Sequence, residues 1–124
     1  MNIPDYLYYS QNHEWAKIDN EIATIGITDY AQSELGDIIF IEFPDIGTEF
    51  NAGDTIGTIE AVKTVADFYA PIKGIMIEIN NQLEDSPGYV NTDPYNAGWI
   101  IKLDSLGGGQ SALLSAKEYE KLIR

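Results

Sequence analysis

Turn-forming residues cut this chain into short apolar runs of strand character, and that punctuation leaves no room for long helices. The run DIIFIEF (Asp37–Phe43) alternates in period two and stops at Pro44. HEWAKI and EIATIGIT flank Asp19-Asn20, which reads as a hairpin turn. The segment from Thr55 to Tyr69 is strand-like on both sides of Lys63. Beyond Pro71, PIKGIMIEIN puts Ile75, Ile77 and Ile79 on one face and Met76 and Glu78 on the other. WIIKL is a further short strand, while PDIG and NAGD read as turns. Six or more short strands at this spacing predict a sandwich or barrel with helical additions.

Helices are sparse. Thr28 is placed to cap DYAQSEL, which Gly36 then stops. NQLEDSPGYVNTDPYNAG is rich in turn residues and reads as irregular. Gly107-Gly108-Gly109 makes a flexible break, and behind it a helix is expected over about residues 111–124. Ser115 and Glu118 have the spacing of a capping box there, and Ala116, Tyr119, Glu120 and Ile123 share one face. The stretches Gly53–Glu60 and Pro71–Glu78 are faintly alike, a weak sign of two related halves.

With 124 residues, 44% of them hydrophobic, the chain fits one domain spanning 1–124 with a core of its own. No apolar run is long enough to span a membrane. The opening MNIPDYLYYS has neither the plan of a signal peptide nor that of a transit peptide, so the cytoplasm is the expectation. Cysteine is absent, which excludes disulfides, thiolate metal sites and a cysteine nucleophile; any thiol chemistry must be carried by an added group. The balance of 20 acidic against 7 basic residues gives a net charge of -13. Such a field repels phosphate backbones and argues against nucleic acid. It favours a monomer that docks transiently on basic patches of partners.

Few residues are placed for chemistry. His13-Glu14 is the one histidine beside a carboxylate. Neighbours on a strand point to opposite faces, no nucleophile motif accompanies the pair, and a lone histidine supplies one metal ligand, so a structural role is expected. The triglycine is not followed by the Lys-Ser/Thr of a phosphate loop and reads as a linker. The eight tyrosines and two tryptophans lack the basic groove that base-stacking platforms need. Lys63 remains. A strand lysine is ordinarily a solubilising cation, and no Asn-Gly or Asp-Gly marks a hairpin tip here. A carrier site, however, requires an amine projecting from a stiff turn. Small Gly57 and Ala61 and branched Val62 and Val65 suit such a turn, and Glu60, three positions earlier, is placed to orient the lysine for a modifying enzyme.

The order of several short motifs then carries a resemblance. HEW (His13–Trp15), ATIGITDYAQSELGD (Ala23–Asp37), GTIEAVK (Gly57–Lys63), YAPIKG (Tyr69–Gly74), EIN leading to LEDSPGYVN, DPYNAGW (Asp93–Trp99) and AKEY (Ala116–Tyr119) follow one another along almost the whole chain. In this order and spacing the sequence resembles the H-protein family of the glycine cleavage system. The resemblance implies a mainly β barrel-sandwich hybrid of two antiparallel sheets, with short helices and a C-terminal helix. It implies a non-catalytic carrier with lipoate joined to Lys63 through an amide. The partners implied are a pyridoxal-phosphate glycine decarboxylase, an aminomethyltransferase, a flavin dihydrolipoamide dehydrogenase and a lipoate-attaching enzyme, with Glu60 read by the last. Members of this family shelter the aminomethyl amine in a surface cleft. By position, Glu14 and Asp67 pair with that amine and Asn12 supplies a further contact, where relatives often have Ser.

Three other readings share the attachment lysine. A biotin carrier would set it in Ala-Met-Lys-Met, whereas this chain has Ala61-Val62-Lys63-Thr64. A lipoyl domain of a 2-oxoacid dehydrogenase is shorter and often carries Asp-Lys at the tip. The third is an H-like protein that donates lipoate to other enzymes or binds partners unmodified.

Overall fold

The computed structural model describes residues 1–124. It contains two antiparallel sheets. The larger has the order β1 (Tyr8–Tyr9), β2 (Glu14–Asp19), β3 (Ile22–Ile27), β9 (Ile101–Asp104), β8 (Gly74–Ile79), β5 (Glu49–Phe50). The smaller has the order β4 (Ile38–Glu42), β6 (Thr55–Ala61), β7 (Val65–Tyr69). They face each other across a common core and do not close into a barrel. Ile25, Met76, Ile101 and Leu103 of the larger sheet pack with Ile41, Ile59 and Phe68 of the smaller, all nearly solvent-free. Burying a side chain of this size contributes roughly 1.5–3 kcal/mol.

Each strand boundary has a local cause. β2 and β3 meet through Asn20 and Glu21, both at positive φ (47° and 71°), one position later than Asp19-Asn20. A turn with two left-handed residues matches the twist of the strands it joins. Gly57 lets β6 lie against β4, because a β-carbon there would overlap the Glu42 carbonyl oxygen. On β8 the expected alternation holds through Ile77, with Met76 fully buried and Ile77 exposed, and then fails. A bulge between Met76 and Glu78 interrupts the register with β9 and leaves both Ile77 and Glu78 exposed. A second bulge, between Ile38 and Phe40, leaves both Ile39 and Phe40 on the outside of β4.

Four short helices complete the chain. α1 (Asp29–Leu35) starts at Thr28, whose Oγ1 accepts from the Ala31 N–H at 3.1 Å, and ends at Gly36 with φ 77°. α2 (Gln82–Asp85) and α3 (Tyr89–Thr92) lie in the stretch whose turn residues had suggested irregular chain. α4 (Ala116–Leu122) is shorter than expected, and a 3-10 turn at Gln110–Ala112 precedes it. Its capping box is formed: Ser115 Oγ accepts from the Glu118 N–H, and Glu118 Oε1 accepts from the Ser115 N–H. On its expected inner face Tyr119 is fully buried and Ala116 and Ile123 are partly so, whereas Glu120 is exposed beside Arg124. With Leu7, Tyr9 and Trp15, Tyr119 forms a small second core.

Candidate functional site: a lysine turn beside a cleft

The β6–β7 hairpin carries Lys63 at its tip. Val62, Lys63 and Thr64 join the strands, and the Ala61 N–H donates to the Thr64 carbonyl at 2.8 Å, with Val62 and Lys63 at the tip. Neither has positive φ, which is why no Asn-Gly or Asp-Gly stands there. The turn is braced from outside: the Val62 N–H donates to the Asp37 carbonyl at 2.9 Å. Val62, Lys63, Thr64 and Val65 are all exposed, so the tip stands clear of the core. The lysine stem lies along the end of α1, where a β-carbon on Gly36 would sit 3.3 Å from its Cε. Glu60 is exposed on β6, in a cross-strand row between Phe40 and Val65.

Asn91, on α3, holds the segment under this turn. Its Nδ2 donates to the Gly36 carbonyl at 2.8 Å, and its Oδ1 accepts from the Ile38 N–H at 3.0 Å. The same Nδ2 also reaches Gln32 Oε1 at 3.1 Å. One amide thus joins the end of α1, the start of β4 and, through Asp37, the lysine turn.

Beside the hairpin lies a cleft of about 330 Å³. Tyr30, Ala31, Glu34 and Leu35 of α1 form one wall. Asn12, His13 and Glu14 line it at the start of β2, and Ile59, Ala66 and Asp67 at the hairpin. The structure therefore brings Asp67 together with Asn12 and Glu14, which lie far from it in the chain. Lys63 and Glu60 are outside the cleft lining. Apart from His13, its other lining residues, Tyr30 and Glu34 among them, carry no signal in the sequence beyond the amphipathic run of α1.

Glu14 is the unusual member. It is 2% exposed, and its Oε1 accepts from the Ser10 hydroxyl at 2.5 Å. Burial pushes its pKa up to about 7, against the opposing pull of that hydroxyl and of the Tyr69 backbone. Near neutrality it is only partly ionised, and a cation entering the cleft would favour the carboxylate, the proton leaving to solvent. Asp67 is exposed and lies 3.4 Å from the Tyr69 hydroxyl. His13 takes φ 69° in the loop that leads into β2. Burial lowers its pKa, with Glu34 pulling the other way. Its ring lies 4.9 Å from that of Tyr30, and its Nδ1 is 2.8 Å from the Tyr119 hydroxyl. The histidine is thus tied into the packing, as its sequence context predicts. No cluster of His, Cys, Asp and Glu is arranged to hold a metal ion, and no helix is long and apolar enough to cross a membrane.

A model of the glycine cleavage H-protein family matches residues 7–124. The chain belongs to the glycine cleavage H-protein family. It is 51% identical to the glycine cleavage system H protein of Staphylococcus epidermidis strain RP62A, over 99% of this chain and 98% of that one. It is 50% identical to the protein of the same description from Staphylococcus epidermidis strain ATCC 12228, with the same coverage. Its fold superposes on the crystal structure of a glycine cleavage system H protein from Mycobacterium marinum with a TM-score of 0.88 at 36% identity, covering 96% of this chain and 97% of that one. The fold thus presents an exposed lysine on a braced turn and, beside it, a cleft with a buried carboxyl group.

Proposed function

We propose that this chain is the lipoyl-bearing carrier of a glycine cleavage system, with lipoate in amide linkage to Lys63 and the cleft as the shelter for its aminomethyl cargo. The observation that carries this reading is the pairing of the Lys63 turn with a cleft in which Glu14, Asp67 and Asn12 meet. Lipoate supplies a dithiolane on a flexible arm, able to take up a one-carbon aminomethyl unit and two electrons. The chain supplies the placement. Val62 and Ala61 hold the turn rigid, so the amine of Lys63 is presented at one site to every partner.

Inside the cleft, apolar Ile27, Leu35 and Ile59 exclude water from the cargo carbon. The cargo's ammonium charge favours the carboxylate form of Glu14, whose proton leaves to water, giving an ion pair in a largely desolvated place, with Asp67 as a second carboxylate at the mouth. Asn12 offers an amide at the lip. Exposed Glu60, three residues before Lys63, is available to the lipoate-attaching enzyme as it approaches the tip. The decarboxylase, the aminomethyltransferase and dihydrolipoamide dehydrogenase each act on the arm rather than on the fold, and none of the chain's own groups makes or breaks a bond of the cargo. Tethering gives each partner a high local concentration of the arm without tight protein binding.

The test begins with lipoylation by an attaching enzyme and peptide mass spectrometry. One lipoyl mass on Lys63, lost in Lys63→Arg, is expected; a group on Lys17 or Lys73 would sink the reading. The isolated carrier is then loaded with the aminomethyl group, and its decay to formaldehyde and ammonia is followed. Glu14→Gln and Asp67→Asn are expected to lipoylate normally and decay faster, by about tenfold for the buried Glu14, in line with a charge-assisted contact. Equal decay in all three would show that the cleft protects by excluding water alone.

A further inference from the structure

Tyr119 is fully buried although it sits on a seven-residue helix near the end of the chain. Its ring stacks on Tyr9 at 4.8 Å and an interplanar angle of 9°. Its hydroxyl lies 2.8 Å from His13 Nδ1 and 2.7 Å from Thr28 Oγ1. His13 lines the cleft, and Thr28, whose N–H donates to the His13 carbonyl at 3.0 Å, caps α1, which forms one wall. We propose that Tyr119 is a positioning residue for the arm cleft: its hydroxyl fixes the His13 imidazole in one place and one tautomer, and ties it to the first turn of α1.

The donors and acceptors leave one arrangement that satisfies every group. Thr28 Oγ1 accepts from the Ala31 N–H and its own proton has no acceptor other than the Tyr119 oxygen, so it goes there. The Tyr119 proton then goes to His13 Nδ1, and the imidazole keeps its hydrogen on Nε2. A doubly protonated His13 would force Tyr119 to turn its proton towards Thr28 and strand the Thr28 proton, where that residue has no exposure to water. The clasp thus keeps the imidazole uncharged. The other titratable groups around it are Tyr30 and Glu34 of α1, Glu14 of β2 and Asp67 of β7. On the carrier reading above, on which this inference rests, the consequence is specific. An uncharged His13 leaves the cleft without a resident cation to oppose a cationic amine.

The test uses the full chain, and its one histidine gives an unambiguous signal. Nitrogen NMR of the His13 ring in the unmodified protein is expected to show the Nε2–H tautomer and a titration below that of a free histidine. In Tyr119→Phe, which keeps the stack on Tyr9, the titration should move up and the tautomer preference should fade. In Thr28→Ser, which keeps the hydroxyl, both should stay as in the parent. After lipoylation and loading, Tyr119→Phe should lose its cargo about threefold to tenfold faster near pH 6, the scale of one lost hydrogen bond, and converge on the parent by pH 8. Asn tolerates the left-handed backbone of position 13. In His13→Asn the further change Tyr119→Phe should therefore add nothing. An unchanged His13 titration in Tyr119→Phe, or a loss of protection that is the same at every pH, overturns the inference. If Tyr119→Phe does not fold, an Nδ1–H tautomer in the parent overturns it and an Nε2–H tautomer upholds it. A different result would overturn the carrier reading instead: ring signals of His13 and Tyr30 that do not shift on loading. The His13 titration still decides for or against Tyr119 in that case.

Discussion

At the scale of single residues, Glu14 shows what the cleft costs the fold. Its carboxyl group is pushed from 4.5 up to about 7 by burial, so the native state holds its proton more tightly than the unfolded chain does. Between about pH 4.5 and 7 the unfolded state binds fewer protons, and stability therefore falls as pH rises through that window. Above it, both states are ionised and the loss is complete, of order 3 kcal/mol. Glu14→Gln is accordingly expected to raise stability by about 1–3 kcal/mol at pH 8 and to leave it nearly unchanged at pH 4.5, measured by denaturant unfolding across pH. A gain that is equal at both ends would mean that charge burial is not the cause. Other residue-scale features were legible to different degrees. Thr28, Ser115 and Glu118 announced their caps by type and spacing. Lys63 did not announce its turn, because a Val-Lys pair at negative φ carries no turn signature; family resemblance pointed to it instead. The tie between His13 and Tyr119 was beyond reach, since the two are 106 positions apart and only the tertiary fold joins them.

At the scale of elements, the arrangement depends on side chains that join several elements at once. Asn91 satisfies the last carbonyl of α1 and the first N–H of β4, and these hold Asp37 under the lysine turn. Asn91→Ala is expected to cost about 2–3 kcal/mol, because it strands two backbone groups, and to slow lipoylation of Lys63. Gly88→Ala, on the same helix start, meets open space at an ordinary φ of -62° and should gain up to about 1 kcal/mol. Unfolding curves for both variants check the pair, and a harmless Asn91→Ala would remove the bracing role. The α2 and α3 helices were hidden from sequence reading for a physical reason. Each is a single turn with no side-chain cap, too short for a periodic apolar face to develop. The bulges in β4 and β8 defeated the alternation rule in the same way, since one extra residue moves every later side chain to the other face.

At the scale of the whole molecule, the net charge of -13 sets how partners are met. On the proposed carrier function, association with a glycine decarboxylase should be steered by that field, so the apparent KM for the carrier should rise with ionic strength in glycine–bicarbonate exchange. A flat response would assign the acidity to solubility alone. The mainly β class and the two-sheet design were legible from strand spacing together with the motif order. The strand order was not, because nothing local says that the last strand lies between the third and the eighth.

That placement of β9 has a consequence in time. The lysine hairpin is a local structure, its two strands joined by three residues and braced by the nearby Asp37. The larger sheet is the opposite. Ile25 must find Ile101, and Met76 must find Leu103, before β3 and β8 are joined at all. Contacts so distant in sequence incur loop-closure entropy before they return any stabilisation, which places such a chain among the slower folders, in the range of about milliseconds to seconds. The hairpin that bears Lys63 can therefore form ahead of the cleft which, on the proposed function, receives the arm.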